Sequence, residues 1–336
     1  MMLKAAVIGV GSMGQHHARI YAELPGVELV GIADTDVAKC ERLAHRYRLR
    51  SFADYHELLE ETRPDAVSIA VPTSLHYKVA LAAIERGVHV LIEKPIARTV
   101  DEAERLIIAA EQARVRLAVG HVERFNPVVI ELKRRLAQGE LGRILNFRAY
   151  RLGPLPMQIG DVGVVIDLAT HDLDLMRYLT GSEITRLYAE VQHVLHLSLE
   201  DMLTGVLKFA NGATGTLELS WLTPTKIREL YLTGERGMFL ASLLSQDLFF
   251  FENGQFTDEG WPNLQILRGV GEGSMVRFRI QKQEPLRKEL EDFVEAVRQT
   301  RSPTVKGEDG LIALKLAEDL IRSSREHRVL IYGEES

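Results

Sequence analysis

The sequence has little of what several classes of protein require. A single cysteine, Cys40, among 336 residues excludes an internal disulfide and a metal site built from several thiolates. No apolar run approaches the roughly 18 residues of a membrane-spanning helix, and the apolar run at the start of the chain is too short for a signal peptide. These absences predict a protein without a membrane segment and favour the cytoplasm.

The charge balance argues against a nucleic-acid partner. The formal net charge is -6, so any anionic ligand must be held by a local cluster of cations. Apolar residues make up 46% and charged residues 26% of the chain, as in ordinary globular proteins. At 336 residues the chain is long enough for two domains, which we expect at 1–122 and 123–336.

The first 120 or so residues alternate short apolar runs with helical patterns. We predict strands at Lys4–Gly9, Glu28–Asp34, Arg50–Phe52, Ala66–Val71, Val88–Glu93 and Arg116–Gly120. The predicted helices between them are Met13–Leu24, Val37–Arg46, Tyr55–Thr62, Ser74–Arg86 and Val100–Ala113. This alternation predicts an α/β domain with a doubly wound parallel sheet.

Beyond about residue 140 the pattern changes to consecutive strands joined by short turns. We predict strands at Arg143–Leu152, Ile184–Leu195, Met202–Phe209, Thr214–Trp221, Ile227–Thr233 and Phe239–Ala241, with turns at Asn211-Gly212 and Asn253-Gly254. Helices are predicted at Val164–Leu179, Leu286–Thr300 and Gly310–His327. The second domain is therefore expected to be α+β, with an open and mostly antiparallel sheet.

A glycine motif follows the first predicted strand and opens the first predicted helix. Gly9, Gly11 and Gly14 have the spacing of a dinucleotide-binding turn, and Asp34 lies 20 residues after Gly14 at the end of the second strand. A helix N-terminus there offers backbone amides to a diphosphate. Because a carboxylate accepts hydrogen bonds from ribose hydroxyls and repels a 2′-phosphate, Asp34 favours NAD over NADP. A turn without a ligand is the weaker alternative.

Lys94 lies at the carboxyl end of the predicted strand Val88–Glu93, within Glu93-Lys94-Pro95. In open α/β sheets this edge is where ligands bind. A lone lysine at a strand end is more often simply solvated. Beside a dinucleotide motif, however, its ammonium group is a candidate for holding a reacting oxygen.

A second group of polar residues lies in the helical pattern of Val164–Leu179. Asp167 and His171 are four residues apart, which places both on one helix face, and Asp174 follows three residues later. An imidazole beside a carboxylate is suited to proton transfer near neutral pH. An ordinary polar helix face is the simpler alternative, and no second histidine at ligand spacing supports a metal site.

Together these motifs resemble the Gfo/Idh/MocA oxidoreductase family, and the resemblance covers essentially the whole chain. Further matches are Pro72-Thr73-Ser74-Leu75-His76 and Arg124-Phe125-Asn126-Pro127. The resemblance implies a Rossmann domain, a second domain with an open sheet that often forms oligomers, and hydride transfer between NAD and a secondary alcohol of a sugar or cyclitol. It implies Lys94, Asp167 and His171 as catalytic residues, and it implies cofactor contacts from Gly9, Gly11, Ser12, Met13, Gly14, Asp34, Pro72, Thr73, His76, Glu93 and Lys94.

Three segments resemble a group within this family that oxidises the 3-hydroxyl of UDP-N-acetylglucosamine. They are Gly120–Pro127, Asp161–Asp167 and Ser220–Lys226. A nucleotide diphosphate needs cations and a stacking surface, for which Arg124, Arg151, Lys226, Arg228, Trp221 and Tyr150 are candidates. Asn126, Asp167 and His171 complete the expected substrate contacts. Each cation singly is more simply read as an exposed sheet residue, and Trp221 equally as a core residue.

Other functions stay open at this stage. A dehydrogenase of a free sugar or inositol needs no diphosphate site. A glycosidase that uses NAD transiently, or a noncatalytic nucleotide-sensing protein, is a further alternative. Lys94, Asp167 and His171 argue against the sensor, because binding alone needs none of them. A single-layer sheet has a second face to cover, which favours a homodimer or homotetramer.

Overall fold

The computed structural model describes residues 2–155, 162–195, 199–254 and 271–333. By their internal contacts these residues divide into two units. The first contains the chain up to Phe125, a segment that ends at Asp174, and Glu284–Glu318. The second begins at Asn126 and takes up Leu175–Gln283 and the chain from Asp319 onward. Later segments of the chain thus return to the first unit. Each unit is therefore made of more than one segment, whereas the prediction divides the chain once, at residue 122.

The first unit is built on a parallel sheet of six strands in the order β3-β2-β1-β4-β5-β6. The strands are β1 (Leu3–Ile8), β2 (Val27–Ala33), β3 (Ser51–Phe52), β4 (Ala66–Ile69), β5 (His89–Glu93) and β6 (Leu117–Gly120). The helices that alternate with them are α1 (Ser12–Glu23), α2 (Val37–Tyr47), α3 (Tyr55–Thr62), α4 (Thr73–Ile84) and α5 (Val100–Ala113). The predicted doubly wound α/β domain is confirmed, with every boundary within two residues or so of its prediction.

The physical reason for this agreement is that the local signals are strong. All residues of β4 and β6 are buried, as expected for strands covered on both faces by helices. Thr99 accepts a hydrogen bond from the Glu102 amide at 3.3 Å and caps the N-terminus of α5. Gly87, with φ of +74°, lies in the turn between α4 and β5, where a left-handed residue is needed.

The chain then forms a short 3-10 helix at Val122–Phe125, and α6 (Pro127–Ala137) follows. In the second unit a mixed sheet has nine strands in the order β14-β13-β12-β11-β7-β10-β9-β8-β15. They are β7 (Ile144–Pro154), β8 (Ile184–Gln192), β9 (Met202–Phe209), β10 (Thr214–Ser220), β11 (Leu222–Gly234), β12 (Gly237–Ser242), β13 (Asp247–Gly254), β14 (Gly271–Phe278) and β15 (Leu330–Ile331). Within the described part of this second sheet, only β7 and β10 pair in parallel. The sheet is therefore mostly antiparallel, as predicted.

The prediction missed three strands of this sheet. β13 contains Phe249, Phe250 and Phe251 in succession, which hides the alternation that marks a half-buried strand. The predicted turn at Asn253-Gly254 is wrong, because both residues pair with β14. Asn211-Gly212 does form the predicted turn between β9 and β10, and Gly212 has φ of +89° there.

Further along the chain, a π-helical turn at Val165–Ala169 leads directly into α7 (Thr170–Thr180). The last two helices are α8 (Pro285–Arg298) and α9 (Gly307–Glu326). None of the helices in the ranges described is long and apolar enough to cross a membrane. α8 belongs to the first unit and packs Leu286, Leu290 and Phe293 into the same core as Ala18 and Tyr21 of α1.

One charged residue of α8 is buried within this core. Glu289 is 2% exposed, and neither of its carboxyl oxygens has a hydrogen-bond partner among the residues described. Burial, together with the negative charges of Glu93 and Asp292, raises the pKa of Glu289 well above its usual 4.5. The folded protein therefore keeps a proton on this carboxyl that the unfolded chain releases.

This proton makes stability depend on pH in a defined direction. Above pH 4.5 the unfolded chain loses the Glu289 proton, whereas the folded protein holds it until the pH reaches the raised pKa. Within that window Glu289 should lower the free energy of unfolding by up to about 1.4 kcal/mol per pH unit as pH rises.

E289Q should remove this contribution in urea denaturation between pH 5 and 9. E295Q, which alters an exposed carboxylate of the same helix, should not. Parallel curves for the unsubstituted protein and E289Q would contradict the assignment.

Candidate active site

The glycine motif forms a tight loop at the carboxyl end of β1. Gly9 has φ of +88°, and a Cβ atom there would lie 2.5 Å from the carbonyl oxygen of Ala70. A Cβ at Gly14 would lie only 1.8 Å from the carbonyl oxygen of Gly9, which lets α1 approach the strand closely. A Cβ at Gly11, by contrast, would meet nothing within 4 Å. The loop is therefore closed on the protein side and open at Gly11.

The N-terminus of α1 faces the open side of this loop. Gly11 precedes the helix, and no side chain caps its first amides. Ser12 and Met13 are exposed at this first turn. Uncapped amides and the positive end of the helix dipole suit the diphosphate of a dinucleotide.

Asp34 fixes the second part of the cofactor site. Its Oδ2 accepts a hydrogen bond from the Val10 amide at 2.7 Å, and its Oδ1 accepts one from the Asp36 amide at 2.9 Å. The carboxylate is thus held beside the glycine loop and is half-buried. A fixed carboxylate at the end of β2 suits the ribose hydroxyls of NAD. Together with the space at Gly11, this arrangement fits the cofactor.

Three residues after β4, Pro72, Thr73 and His76, are predicted to contact the cofactor. α4 begins at Thr73, directly after Pro72, and Thr73 is 8% exposed. The two ring nitrogens of His76 lie 2.7 Å from the Pro95 carbonyl oxygen and 2.9 Å from that of Val71. His76 therefore connects the β4-α4 turn to the residue after Lys94. Its ring nitrogens contact the backbone, and its predicted contact with the cofactor stays a prediction.

Lys94 and Asp167 are brought together within the first unit. The Lys94 Nζ donates to Asp167 Oδ1 at 2.6 Å and to the Asp167 carbonyl oxygen at 2.9 Å. The Lys94 side chain is 17% exposed and that of Asp167 is 33% exposed. The ammonium is therefore held in one place while the pair still reaches solvent.

The helix that carries Asp167 differs from the prediction. Asp167 lies in the π-helical turn Val165–Ala169, and His171 lies in the first turn of α7. A π-helical turn widens the helix and commonly marks a functional site. The structure pairs Asp167 with Lys94. The predicted contact between Asp167 and His171 stays a prediction. Asp161, which belongs to one of the resembling segments, lies outside the described residues.

Glu93 is engaged by a residue that the sequence prediction missed. Its Oε1 lies 2.9 Å from Nε2 of His17, which is fully buried on α1. Burial alone would raise the pKa of Glu93, but the hydrogen bond and charge of His17, with Lys94 and His76, lower it below 4.5. Glu93 is therefore a buried carboxylate, and its contact is with α1.

Arg124 and Asn126 are held by contacts inside their own units. Arg124 donates to both Asp174 carboxylate oxygens, at 2.8 and 2.5 Å, and also pairs with Asp309 at 2.9 Å. Burial opposes the charge of Arg124, but Asp174 and Asp309 outweigh that cost and raise its pKa. Asn126 caps α6 through the Val128 amide and donates to the Leu243 carbonyl at 3.1 Å. Both residues therefore have structural contacts, and their predicted contacts with the substrate stay predictions.

The cations predicted in the second unit lie on neighbouring strands. Arg151 of β7 is directly opposite Arg228 of β11, so both project from the same face of the sheet. Arg151 is 4% exposed, Arg228 donates to the Leu152 carbonyl, and Lys226 is exposed. This cluster of Arg151, Lys226 and Arg228 is called the β7-β11 cation cluster below.

The two aromatic candidates are not open stacking surfaces beside this cluster. Tyr150 precedes Arg151 on β7 and therefore projects from the opposite face of the sheet, where its ring meets Tyr231 edge-on at 5.7 Å. Trp221 is only 4% exposed, as the alternative of a core residue predicts. We therefore withdraw both residues as candidates for stacking.

Comparison with protein families agrees with this geometry. The Gfo/Idh/MocA model, described as an oxidoreductase family with an NAD-binding Rossmann fold, matches residues 3–121. The model of the Gfo/Idh/MocA C-terminal domain matches residues 129–240. The chain belongs to the Gfo/Idh/MocA oxidoreductase family. It is an NAD-dependent enzyme, as predicted.

Several relatives are similar over nearly the whole chain. The UDP-N-acetylglucosamine 3-dehydrogenase of Acidithiobacillus ferrooxidans is 32% identical over 315 residues, which cover 94% of this chain and 95% of the relative. A solved structure of that enzyme has a TM-score of 0.84 and covers 97% of this chain and 98% of its own. The scyllo-inositol 2-dehydrogenase (NAD(+)) of Bacillus subtilis strain 168 is 27% identical over 327 residues, which cover 94% of this chain and 92% of the relative.

His17, which the sequence prediction missed, belongs to a pattern that could have identified it. Gly14, His17, Ala18 and Tyr21 are spaced by three, four and seven residues, which places them on one face of α1. That face is buried in the structure. A histidine on the buried face of a helix needs a polar partner, and here the carboxylate of Glu93 is that partner.

Cofactor choice can be tested through the charge of Asp34. D34N keeps an oxygen for the Val10 amide but removes the charge that repels a 2′-phosphate. We expect the ratio of the NAD and NADP dissociation constants to shift toward NADP by at least about tenfold, as measured by ligand-induced fluorescence changes.

The matched control is D36N, because Asp36 caps α2 through the Lys39 amide and asparagine caps equally well. D36N should leave the ratio unchanged. An equal preference in D34N and the unsubstituted protein would remove Asp34 from cofactor selection.

Proposed function

We propose that this enzyme oxidises a secondary hydroxyl of a nucleotide sugar with NAD, and that the 3-hydroxyl of UDP-N-acetylglucosamine is its substrate group. The observation that carries the proposal is the Lys94 ammonium, fixed by Asp167 at the carboxyl edge of the parallel sheet that carries the cofactor loop. The similarity to a UDP-N-acetylglucosamine 3-dehydrogenase supports the substrate.

The residue types supply the chemistry that the reaction needs. The loop at Gly11 and the Asp34 carboxylate would hold NAD, which would supply the acceptor for the hydride of the carbon that carries the hydroxyl. Lys94 donates a hydrogen bond to the reacting oxygen and stabilises the negative charge that develops on it. His171 accepts the hydroxyl proton as the carbonyl forms. Asp167 keeps Lys94 in place through both its carboxylate and its backbone carbonyl. His171 thus takes up the proton, and Lys94 holds the oxygen that becomes the carbonyl oxygen.

The UDP moiety requires cations outside the reacting centre. We propose, as the sequence predicts, that Arg151, Lys226 and Arg228 bind the diphosphate. A free inositol has no diphosphate for such residues to bind.

A second candidate function is the oxidation of a free cyclitol. It is favoured by the similarity to scyllo-inositol 2-dehydrogenase over 327 residues. The same Lys94, Asp167 and His171 chemistry applies, since both substrates are secondary alcohols.

The proposal predicts activity that depends on specific residues. NADH absorbance should rise when UDP-N-acetylglucosamine and NAD are added, and K94A and H171N should each lower kcat by about 100-fold or more while binding NAD. K78A, which alters an exposed lysine of α4, is the matched control and should keep full turnover. Oxidation of scyllo-inositol without oxidation of UDP-N-acetylglucosamine would establish the second candidate, and full turnover by K94A would overturn the catalytic assignment.

We also propose that the enzyme is a homo-oligomer, with a second copy covering the open face of the nine-stranded sheet. One row of directly opposed residues crosses this face, namely Tyr188, Val206, Thr216, Arg148, Tyr231, Leu240, Phe249 and Arg277. Val206 is 48% exposed within the single chain. Five of the eight residues in this row are apolar or aromatic, and none of those five is buried within the single chain. Such a face is typical of an interface between copies.

Sedimentation should therefore give a mass of two or more chains, and L240R should yield monomers because it puts a charge in place of an apolar side chain between Tyr231 and Phe249. I108R, which alters a residue of α5 that is 51% exposed, should leave the assembly intact. A monomeric unsubstituted protein would refute this proposal.

A further inference from the structure

His76 is the last residue of the Pro72–His76 motif, and its ring lies between two backbone segments of the first unit. Its Nδ1 lies 2.7 Å from the Pro95 carbonyl oxygen, and its Nε2 lies 2.9 Å from the carbonyl oxygen of Val71. His76 is 1% exposed. The proposed hydride transfer gives this buried ring no chemical step.

Both contacts of the ring are with oxygens that only accept hydrogen bonds. A carbonyl oxygen has lone pairs and no proton, so each ring nitrogen has to be the donor. A neutral imidazole has one N–H group and one lone pair, and its lone pair would face a carbonyl oxygen at less than 3 Å. Only the imidazolium form donates from both nitrogens. The geometry of the His76 ring therefore requires two protons.

A buried positive charge needs a negative charge nearby, and Glu93 of β5 supplies one. Burial raises the pKa of Glu93, but the hydrogen bond and the charge of His17 lower it. The charges of Lys94 and His76 lower it further, and the pKa of Glu93 lies below its usual 4.5. The ionised carboxylate of Glu93 thus compensates a positive charge on His76.

The two carbonyl groups belong to segments on either side of the candidate active site. Val71 follows β4 and lies against the cofactor loop, since a Cβ atom at Gly9 would lie 2.5 Å from the Ala70 carbonyl oxygen and 2.8 Å from the Val71 nitrogen. Pro95 is the residue after Lys94 at the end of β5. One side chain therefore joins the backbone behind the cofactor loop to the backbone that follows Lys94.

We propose that His76 is an imidazolium near neutral pH and a positioning residue, whose two N–H groups hold the segment after β5 against the turn after β4. The residue acts through the backbone of Pro95 and needs no contact with the reacting atoms. Its consequence for turnover rests on the proposed function, in which Lys94 of the same segment holds the reacting oxygen.

The protons of His76 can be counted by nuclear magnetic resonance of protein labelled with nitrogen-15 in its histidines, at pH 7.5. An ordinary histidine is only about 10% doubly protonated at this pH. His76, identified by the loss of its signals in H76Q, should carry protons on both ring nitrogens, whereas the exposed His16 should give the signals of a neutral ring. If H76Q fails to fold, neutron diffraction from crystals of the unsubstituted protein at the same pH counts the same protons. A ring nitrogen of His76 without a proton would overturn the proposal.

The positioning role predicts a graded loss of order in the segment after β5. H76Q keeps one donor nitrogen and can hold one of the two carbonyls, whereas H76F keeps a ring of similar size and no donor. Hydrogen exchange of residues 96–99, followed by mass spectrometry, should be at least about threefold faster in H76F, with H76Q intermediate. H16Q, which alters an exposed histidine, is the matched control and should exchange like the unsubstituted protein. Equal exchange in H76F and H16Q would contradict the positioning role.

Turnover separates this proposal from the proposed function. In an enzyme that oxidises UDP-N-acetylglucosamine, H76F should lower kcat by at least about tenfold and H76Q by less, with H16Q unchanged. If the unsubstituted protein oxidises no nucleotide sugar, the proposed function fails, while the proton count and the exchange rates still decide the role of His76. Full kcat in H76F together with a raised NAD dissociation constant would make His76 a cofactor contact and would refute the positioning role.

Discussion

The contact between Lys94 and Asp167 is the interaction on which the proposed chemistry depends. A lysine side chain has four rotatable bonds, and an exposed one samples many positions. Here the Nζ is held by a carboxylate oxygen at 2.6 Å and a carbonyl oxygen at 2.9 Å, both from the same residue. The π-helical turn places both groups of Asp167 toward the strand end. The donor is therefore oriented before a substrate arrives, which is what stabilisation of a developing charge requires.

Burial and charge pairing extend this order into the core of the first unit. Arg124 is buried between Asp174 and Asp309, and thereby fixes α7 just beyond His171. Removing one member of such a buried set typically costs about 3–5 kcal/mol, because the remaining charge is left uncompensated. His17 and Glu93 provide a second buried pair on the side of α1. The residues nearest the reacting groups are thus supported by buried polar contacts that do not take part in the proposed reaction.

The sequence predicted the parts of the site that depend on local geometry. Gly9, Gly11 and Gly14 lie within one turn, so their spacing alone indicates the cofactor loop, and the edge position of Lys94 follows from its strand. The partner of Lys94 did not follow, because Asp167 lies 73 residues further along the chain. For Arg124, the family motif suggested an anionic ligand. The structure gives it two carboxylate partners, Asp174 and Asp309, which lie 50 and 185 positions further along the chain. Long-range pairing of this kind leaves no periodic signal in the chain.

The most direct test of the central claim is a crystal structure of the enzyme with NAD and UDP-N-acetylglucosamine bound. The account predicts that C3 of the sugar faces C4 of the nicotinamide, with the Lys94 Nζ and a ring nitrogen of His171 each about 3 Å from the 3-hydroxyl oxygen. A complex in which another carbon faces the nicotinamide would contradict the assigned substrate group. One in which Lys94 stays on Asp167 without reaching the sugar would contradict the assigned role of the lysine.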